Sequence, residues 1–138
     1  MAGRTPKPGI IRNYINKRRI KKATALESRA KRLENAATQH RVRAIMEGVD
    51  PNSLKADAEI ERIKAMSLRE KAAGIHSRGV IALLKKAGIL EVEANYLTRT
   101  VIDRKHYLLE KGINPKKLLE EAKEKSEKAK ALRKKARK

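Results

Sequence analysis

The 138-residue sequence contains no cysteine, no phenylalanine and no tryptophan. Without cysteine there can be no disulfide and no thiolate metal site, and the composition fits a reducing compartment. Three tyrosines are the only large rings. A core must therefore be built from Ala, Leu, Ile and Val, which implies a thin one made by close helix contact. No apolar run approaches the ~20 residues needed to span a bilayer. The opening stretch, Met1 to Gly9, lacks the apolar centre of a secretory signal. It has no acidic residue as far as Glu27, which leaves an organellar presequence open. Only one glutamine occurs, and with abundant Lys, Glu and Ile this is a weak thermophile signature.

Acidic residues are also scarce. There are 16 Asp and Glu against 36 Lys and Arg, for a formal net charge of +20. Self-repulsion on this scale opposes compaction, so a polyanionic partner is expected. Nucleic acid ranks first and an anionic membrane surface well behind it.

Catalytic and metal-binding patterns are missing as well. His40, His76 and His106 have no ligand-like spacing with carboxylates. No Gly-rich phosphate loop is present. Ser77 beside His76 lacks a third partner for nucleophilic chemistry. "HSRG" at His76–Gly79 fits a helix start that could take a phosphate, and N-capping by Ser77 accounts for it equally well. No enzyme activity, cofactor, metal or small-molecule substrate is expected. Tyr14, Tyr96 and Tyr107 are too few to form a base-stacking platform, so nucleic-acid contacts should be to backbone and shape.

What the chain does contain is a repetition. "IKKATALE" from Ile20 returns as "LKKAGILE" from Leu84. Extended without a gap, residues 11–74 match residues 75–138 at 18 positions, where so biased a composition gives roughly six by chance. The matches include Gly48/Gly112 and Pro51/Pro115, which composition does not explain. The expected organisation is an extended basic tail over 1–10, a first helical repeat over 11–74 and a second over 75–138 that ends in a basic helix.

Each unit reads as all-α. "EGVDP" (Glu47–Pro51) and "KGINP" (Lys111–Pro115) place a left-handed glycine, an N-cap at Asp50 or Asn114, and a proline at the first helical position. Two long helices should therefore form an antiparallel hairpin, each arm about 20 residues and about 30 Å long. Leu26, Ala30, Leu33, Ala37, His40 and Ala44 form one seam, and Leu54, Ala58, Glu61, Ala65, Leu68 and Ala72 face it. Leu90, Ala94, Leu97, Val101, Arg104 and Leu108 repeat the first seam, and Leu118, Ala122, Lys125, Ala129, Leu132 and Ala136 the second. A shorter helix precedes each hairpin, over Ile10–Lys22 and Ile75–Lys86. A break is expected after each: a Thr24–Glu27 capping box in copy one and Gly88 in copy two. The short helix of copy two, with Val80, Ile81, Ala82 and Leu83, should pack inward, whereas Asn16, Lys17, Arg18 and Arg19 should be exposed.

Charge concentrates at the two ends of the chain. Residues 1–26 hold eight basic and no acidic residues, and residues 123–138 hold nine and two. The candidate phosphate-contacting residues are Arg4, Lys7, Arg12, Lys17, Arg18, Arg19, Lys21 and Lys22 at one end. Arg133, Lys134, Lys135, Arg137 and Lys138 form the cluster at the other. Arg78 and the pair Lys85-Lys86, which matches Lys21-Lys22, join them. The tail "GRTPKPG" has two Pro and two Gly in seven residues, which reads as an extended arm.

In composition and layout the whole chain resembles ribosomal proteins as a class: small, very basic, helical and aromatic-poor, with basic non-globular ends. The resemblance carries no family residues over. It implies a structural role on rRNA beside neighbouring ribosomal proteins, in the cytoplasm. DNA remains open as partner, for a nucleoid or chromatin protein that bridges duplexes, and so does a helical protein-interaction scaffold. A ribosome-associated translation factor is a further alternative. The thin core predicts partial helicity for the isolated chain and a gain on adding RNA. Circular dichroism spectra that are equal with and without RNA would refute this.

Overall fold

The computed structural model describes residues 8–74 and 76–137. All secondary structure among them is helical: α1 (Pro8–Thr38), α2 (Arg41–Met46), α3 (Pro51–Ala73), α4 (Arg78–Asp103), α5 (Lys105–Glu110) and α6 (Pro115–Ala136). Of the basic tail assigned to 1–10, residues 8–10 belong to the first turn of α1, where a proline is tolerated because its missing N–H has no intrahelical partner. The remainder lies outside the described residues.

The turns follow from their residues. Gly48 and Gly112 adopt φ of +79° and +72°, a region open to glycine without a Cβ clash. Behind them Val49 N donates to Ala44 O, and Ile113 N to Leu108 O, both at 2.8 Å. Asp50 then caps α3, accepting from Asn52 N at 3.0 Å, and Asn114 caps α6, accepting from Lys116 N at 3.0 Å. Ser77 caps α4, its Oγ accepting from Val80 N at 3.3 Å.

The expected breaks lie elsewhere than the sequence placed them. α1 and α4 run uninterrupted through Thr24 and Gly88. Thr24 is not an N-cap: its hydroxyl donates back to Ile20 O at 3.0 Å, inside a continuing helix. Gly88 is a packing residue. A Cβ built there would stand 3.2 Å from Ile63 Cδ1 on α3, so the missing side chain sets how closely α3 and α4 approach. The helices break later, at His40 (φ −115°, ψ 32°) and Arg104 (φ −127°, ψ 30°). Threonine hydroxyls bond back to carbonyls just before both points: Thr38 to Glu34 O, Thr98 to Ala94 O and Thr100 to Tyr96 O. Such back-bonding bends helices, and the β-branched run Thr100-Val101-Ile102 adds crowding. The six-residue helices α2 and α5 follow, and each tucks one seam residue inward, Ala44 at 7% and Leu108 at 3% exposure.

The core is the alanine seam. Among the described residues ten of the 13 buried apolar residues are alanines, and Ile81 is the only large side chain that is fully buried. In the stretch expected to pack inward Ile81 is buried and Val80 and Leu83 are half-buried, but Ala82 is exposed; Lys17 and Arg18 are exposed as expected, whereas Asn16 and Arg19 are half-buried. Each alanine methyl contributes on the order of 0.8 kcal/mol. The leucines beside them, Leu26, Leu33, Leu54 and Leu68, are half-buried. Glu61, on the α3 seam, is also buried.

Ion pairs fix the helix directions. Glu34 pairs with Arg62 and Glu27 with Arg69, so α1 and α3 run in opposite senses. Glu91 pairs with Arg133 and Glu93 with Lys125 across α4 and α6. Ile63 against Gly88, with Asn52 donating to Asp103, sets α3 antiparallel to α4. Each long helix contacts only its neighbours in the order α1, α3, α4, α6. The result is one open layer of four helices with α1 and α6 at its edges.

Asp50 ties the start of α3 to α4 at the centre of this layer. Besides capping α3, its Oδ2 accepts from the Tyr96 hydroxyl at 3.1 Å and from Arg104 Nη1 at 3.3 Å, both reaching from the α4 side. Burial pushes the Tyr96 hydroxyl pKa above its usual value, and the neighbouring Asp50 charge adds to the effect. Asn114 makes the cap alone. Asn114→Ala should therefore cost about 1 kcal/mol, the usual worth of a cap, and Asp50→Ala about 1 kcal/mol more, for the orphaned Tyr96 and Arg104. Urea unfolding of both variants measures the difference.

Candidate nucleic-acid interface

The topology decides where the charges meet. With neighbouring helices antiparallel, the start of α1, the end of α3 and the start of α4 lie at the same end of the layer, and the end of α6 points the same way but stops near the level of Glu91, midway along α4. The two basic termini of the sequence therefore fall on the same half of the layer, its cationic pole. Arg12, Lys17, Arg18, Lys21 and Lys22 are exposed on α1, as are Arg78 and Lys86 on α4 and Lys134 and Lys135 on α6, with Arg137 just beyond it. Arg19 and Lys85 are half-buried. Arg4, Lys7 and Lys138 lie outside the described residues.

The Glu34–Arg62 and Glu91–Arg133 pairs mark a level across the layer. On the pole side of it, residues 8–34, 62–91 and 133–137 hold 20 basic and four acidic side chains. On the other side, residues 35–61 and 92–132 hold 13 and 12. The molecule is thus strongly cationic at one end and almost neutral at the other. Charges brought together in this way sum to a potential that attracts and orients a polyanion, and salt screens it over about 10 Å at 0.1 M.

Not every arginine at the pole is free. Arg133 places its guanidinium on both carboxylate oxygens of Glu91, with Nη2 at 3.1 Å from Oε2. Arg69 Nε donates to Glu27 at 2.5 Å and its Nη2 to Thr24 Oγ1 at 3.2 Å. Arg62 is bidentate on Glu34, at 2.9 and 2.6 Å. In each pair the hydrogen bond donated to the carboxylate raises the arginine's pKa. These three arginines clip neighbouring helices together, so Arg133, a candidate phosphate contact by sequence, is engaged by Glu91.

Most of the exposed large apolar residues lie at the neutral end, although Ile11, Tyr14, Ile15, Ile20 and Met66 are exposed at the pole. Val42, Ile45 and Met46 are 71%, 56% and 82% exposed, and Ile102 and Leu109 69% and 56%. Tyr107 there lies under the Arg104 guanidinium, 4.0 Å from ring centroid to Cζ. Among the described residues no group of three or more His, Asp or Glu is placed to hold a metal, and no helix is long and apolar enough to cross a membrane.

Comparison with protein-family models, curated proteins and solved structures gives no match for this chain.

The Glu27–Arg69 clip carries a pH signature. The hydrogen bond from Arg69 holds the Glu27 carboxyl below its ordinary value of 4.5. A carboxylate whose pKa is depressed by folding adds stability that is fully present above its unfolded value and is lost as pH falls through the folded one. The urea midpoint should therefore drop as pH falls below about 4.5. Glu27→Gln should lower the midpoint at neutral pH and show a shallower drop in acid.

Proposed function

We propose that this chain is a structural RNA-binding protein, of the ribosomal kind, that grips the phosphate backbone of folded rRNA with its cationic pole. The observation that carries the reading is the gathering of 20 basic against four acidic side chains on one side of an open helical layer. Each phosphate neutralised by Lys or Arg releases a condensed cation, so binding should weaken steeply with salt. A single exposed ring on the pole, Tyr14, is too little for a stacking platform, which favours contacts to backbone and shape over base stacking. The role is architectural and non-catalytic, in the cytoplasm on a ribosomal subunit, and the exposed apolar residues of the neutral end are left for neighbouring ribosomal proteins.

The two-copy organisation belongs to the same proposal. Each copy is a long antiparallel helical hairpin with a short helix at its tip. α2 and α3 begin 64 residues before α5 and α6, and α2 and α5 have the same length. Ala23, Ala30, Ala58 and Ala65 are buried, and so are Ala87, Ala94, Ala122 and Ala129 at the same offset. The clips Glu27–Arg69 and Glu91–Arg133 also correspond. Two equivalent hairpins side by side bring both sets of cationic helix ends into one surface.

Sucrose-gradient sedimentation of native lysate, with and without RNase and at low and high salt, tests the function. The protein should co-migrate with one ribosomal subunit and move to light fractions on RNase treatment. Light fractions under every condition would overturn the reading. Survival under RNase with loss under DNase would shift it to a DNA-bridging protein.

A further inference from the structure

The cationic pole contains a cleft of about 820 Å3, where the first turns of α1, the end of α3 and the start of α4 meet. Arg12 and Arg19 line it from α1, Lys71 from the last turn of α3, and His76 and Arg78 from the start of α4. No carboxylate lines it. This is the reverse of the pattern elsewhere in the layer, where Arg62, Arg69 and Arg133 each hold a carboxylate of the neighbouring helix. Arg12, Arg19, Lys71 and Arg78 form no ion pair among the described residues.

Four permanent cations from three elements repel one another when turned to one space, at a cost that a bound anion removes. Arg19 is also anchored: its Nη1 donates to Asn16 Oδ1 at 3.2 Å, which steadies the guanidinium against the wall and leaves most of its N–H groups unused. Ile11 and Ile15, 45% and 41% exposed, line the same space. A cationic lining beside a small apolar surface matches a phosphodiester with its attached sugar better than a bare inorganic ion.

We propose that this cleft is a discrete phosphate-backbone site, in which Arg12, Arg19, Lys71 and Arg78 seat one phosphodiester of an RNA strand and the sugar lies against Ile11 and Ile15. The inference rests on the RNA-binding reading and sharpens it: the pole acts through a shaped site as well as through its summed charge. Lys71 and His76 enter the interface by this route. Neither stands in the basic clusters of the sequence.

The test compares two triple variants of equal charge by anisotropy of a short fluorescein-labelled RNA hairpin across a salt series. The first, Arg12→Gln with Lys71→Gln and Arg78→Gln, takes one cation from each wall of the cleft. The second, Lys17→Gln with Lys22→Gln and Lys134→Gln, takes three exposed cations outside it. Circular dichroism of both should match the parent. The cleft variant should bind at least about tenfold more weakly than the control variant, with a log–log salt slope lower than the parent's by about one. Equal losses in the two variants would overturn the cleft and leave the RNA-binding reading standing. A parent protein that fails to bind the hairpin at low salt would overturn both. As a readout without substitution, the amide resonances of Ser77 and Arg78 should shift on adding the hairpin. Shifts confined to Lys134–Arg137 would also count against the cleft.

Discussion

Close approach between helices, set by alanine, is the constraint on which the rest of this structure depends. Ala23, Ala30 and Ala37 of α1, with Ala58 and Ala65 of α3, are at most 1% exposed. Their methyls let the two backbones come near enough for half-buried leucines to flank the seam. Gly88 does the same between α3 and α4, where it meets Ile63. Such a seam is selective more than it is strong. Little area is buried per turn, so caps and interhelical ion pairs carry a larger share of the stability than they do in a leucine-filled bundle. An overlarge side chain on the seam would separate the helices and with them the Glu–Arg clips.

That dependence explains the charge distribution. A layer one helix thick has no deep interior in which to hide charge and no large apolar surface to offset repulsion. Its antiparallel order nevertheless gathers the cationic ends of α1, α4 and α6 on one side. The clips Glu27–Arg69, Glu34–Arg62 and Glu91–Arg133 lie across or at the border of this pole. Each holds the neighbouring helices together where unpaired cations would push them apart.

Much of this was legible in the sequence, and the failures have physical causes. The turns at Gly48 and Gly112, the caps at Asp50, Asn114 and Ser77, and the alanine seams follow from local stereochemistry and spacing. The helix breaks did not follow. Gly88 and Thr24 resemble terminators in isolation, but Gly88 is needed for contact with Ile63 and Thr24 bonds within its own helix. The real breaks at His40 and Arg104 carry no glycine or proline; threonine back-bonds precede both, yet Thr24 makes the same bond within an unbroken helix, so that bond alone does not mark a break. The clips had a signal that went unused. Among the 18 matched positions the only acidic identity is Glu27/Glu91 and the only arginine identity is Arg69/Arg133, and in the structure these residues pair with one another. The cleft could not be read from the sequence, because Arg12, Lys71 and Arg78 are brought together only by the antiparallel topology.

The open edges of the layer have one further consequence. The face of α4 that meets α3 uses Gly88, Ile81 and Tyr96, and α3 answers with Ile63 and Asp50. Sixty-four residues away the same places hold Thr24, Lys17 and Arg32 on α1, and Glu127 and Asn114 on α6. At the outer edges Lys17, Arg32 and Glu127 thus carry charge where the internal junction has Ile81, Tyr96 and Ile63. Covering such an outer face would require those charges to be desolvated, which disfavours packing a further helix on α1 or α6 in the way that α4 packs on α3.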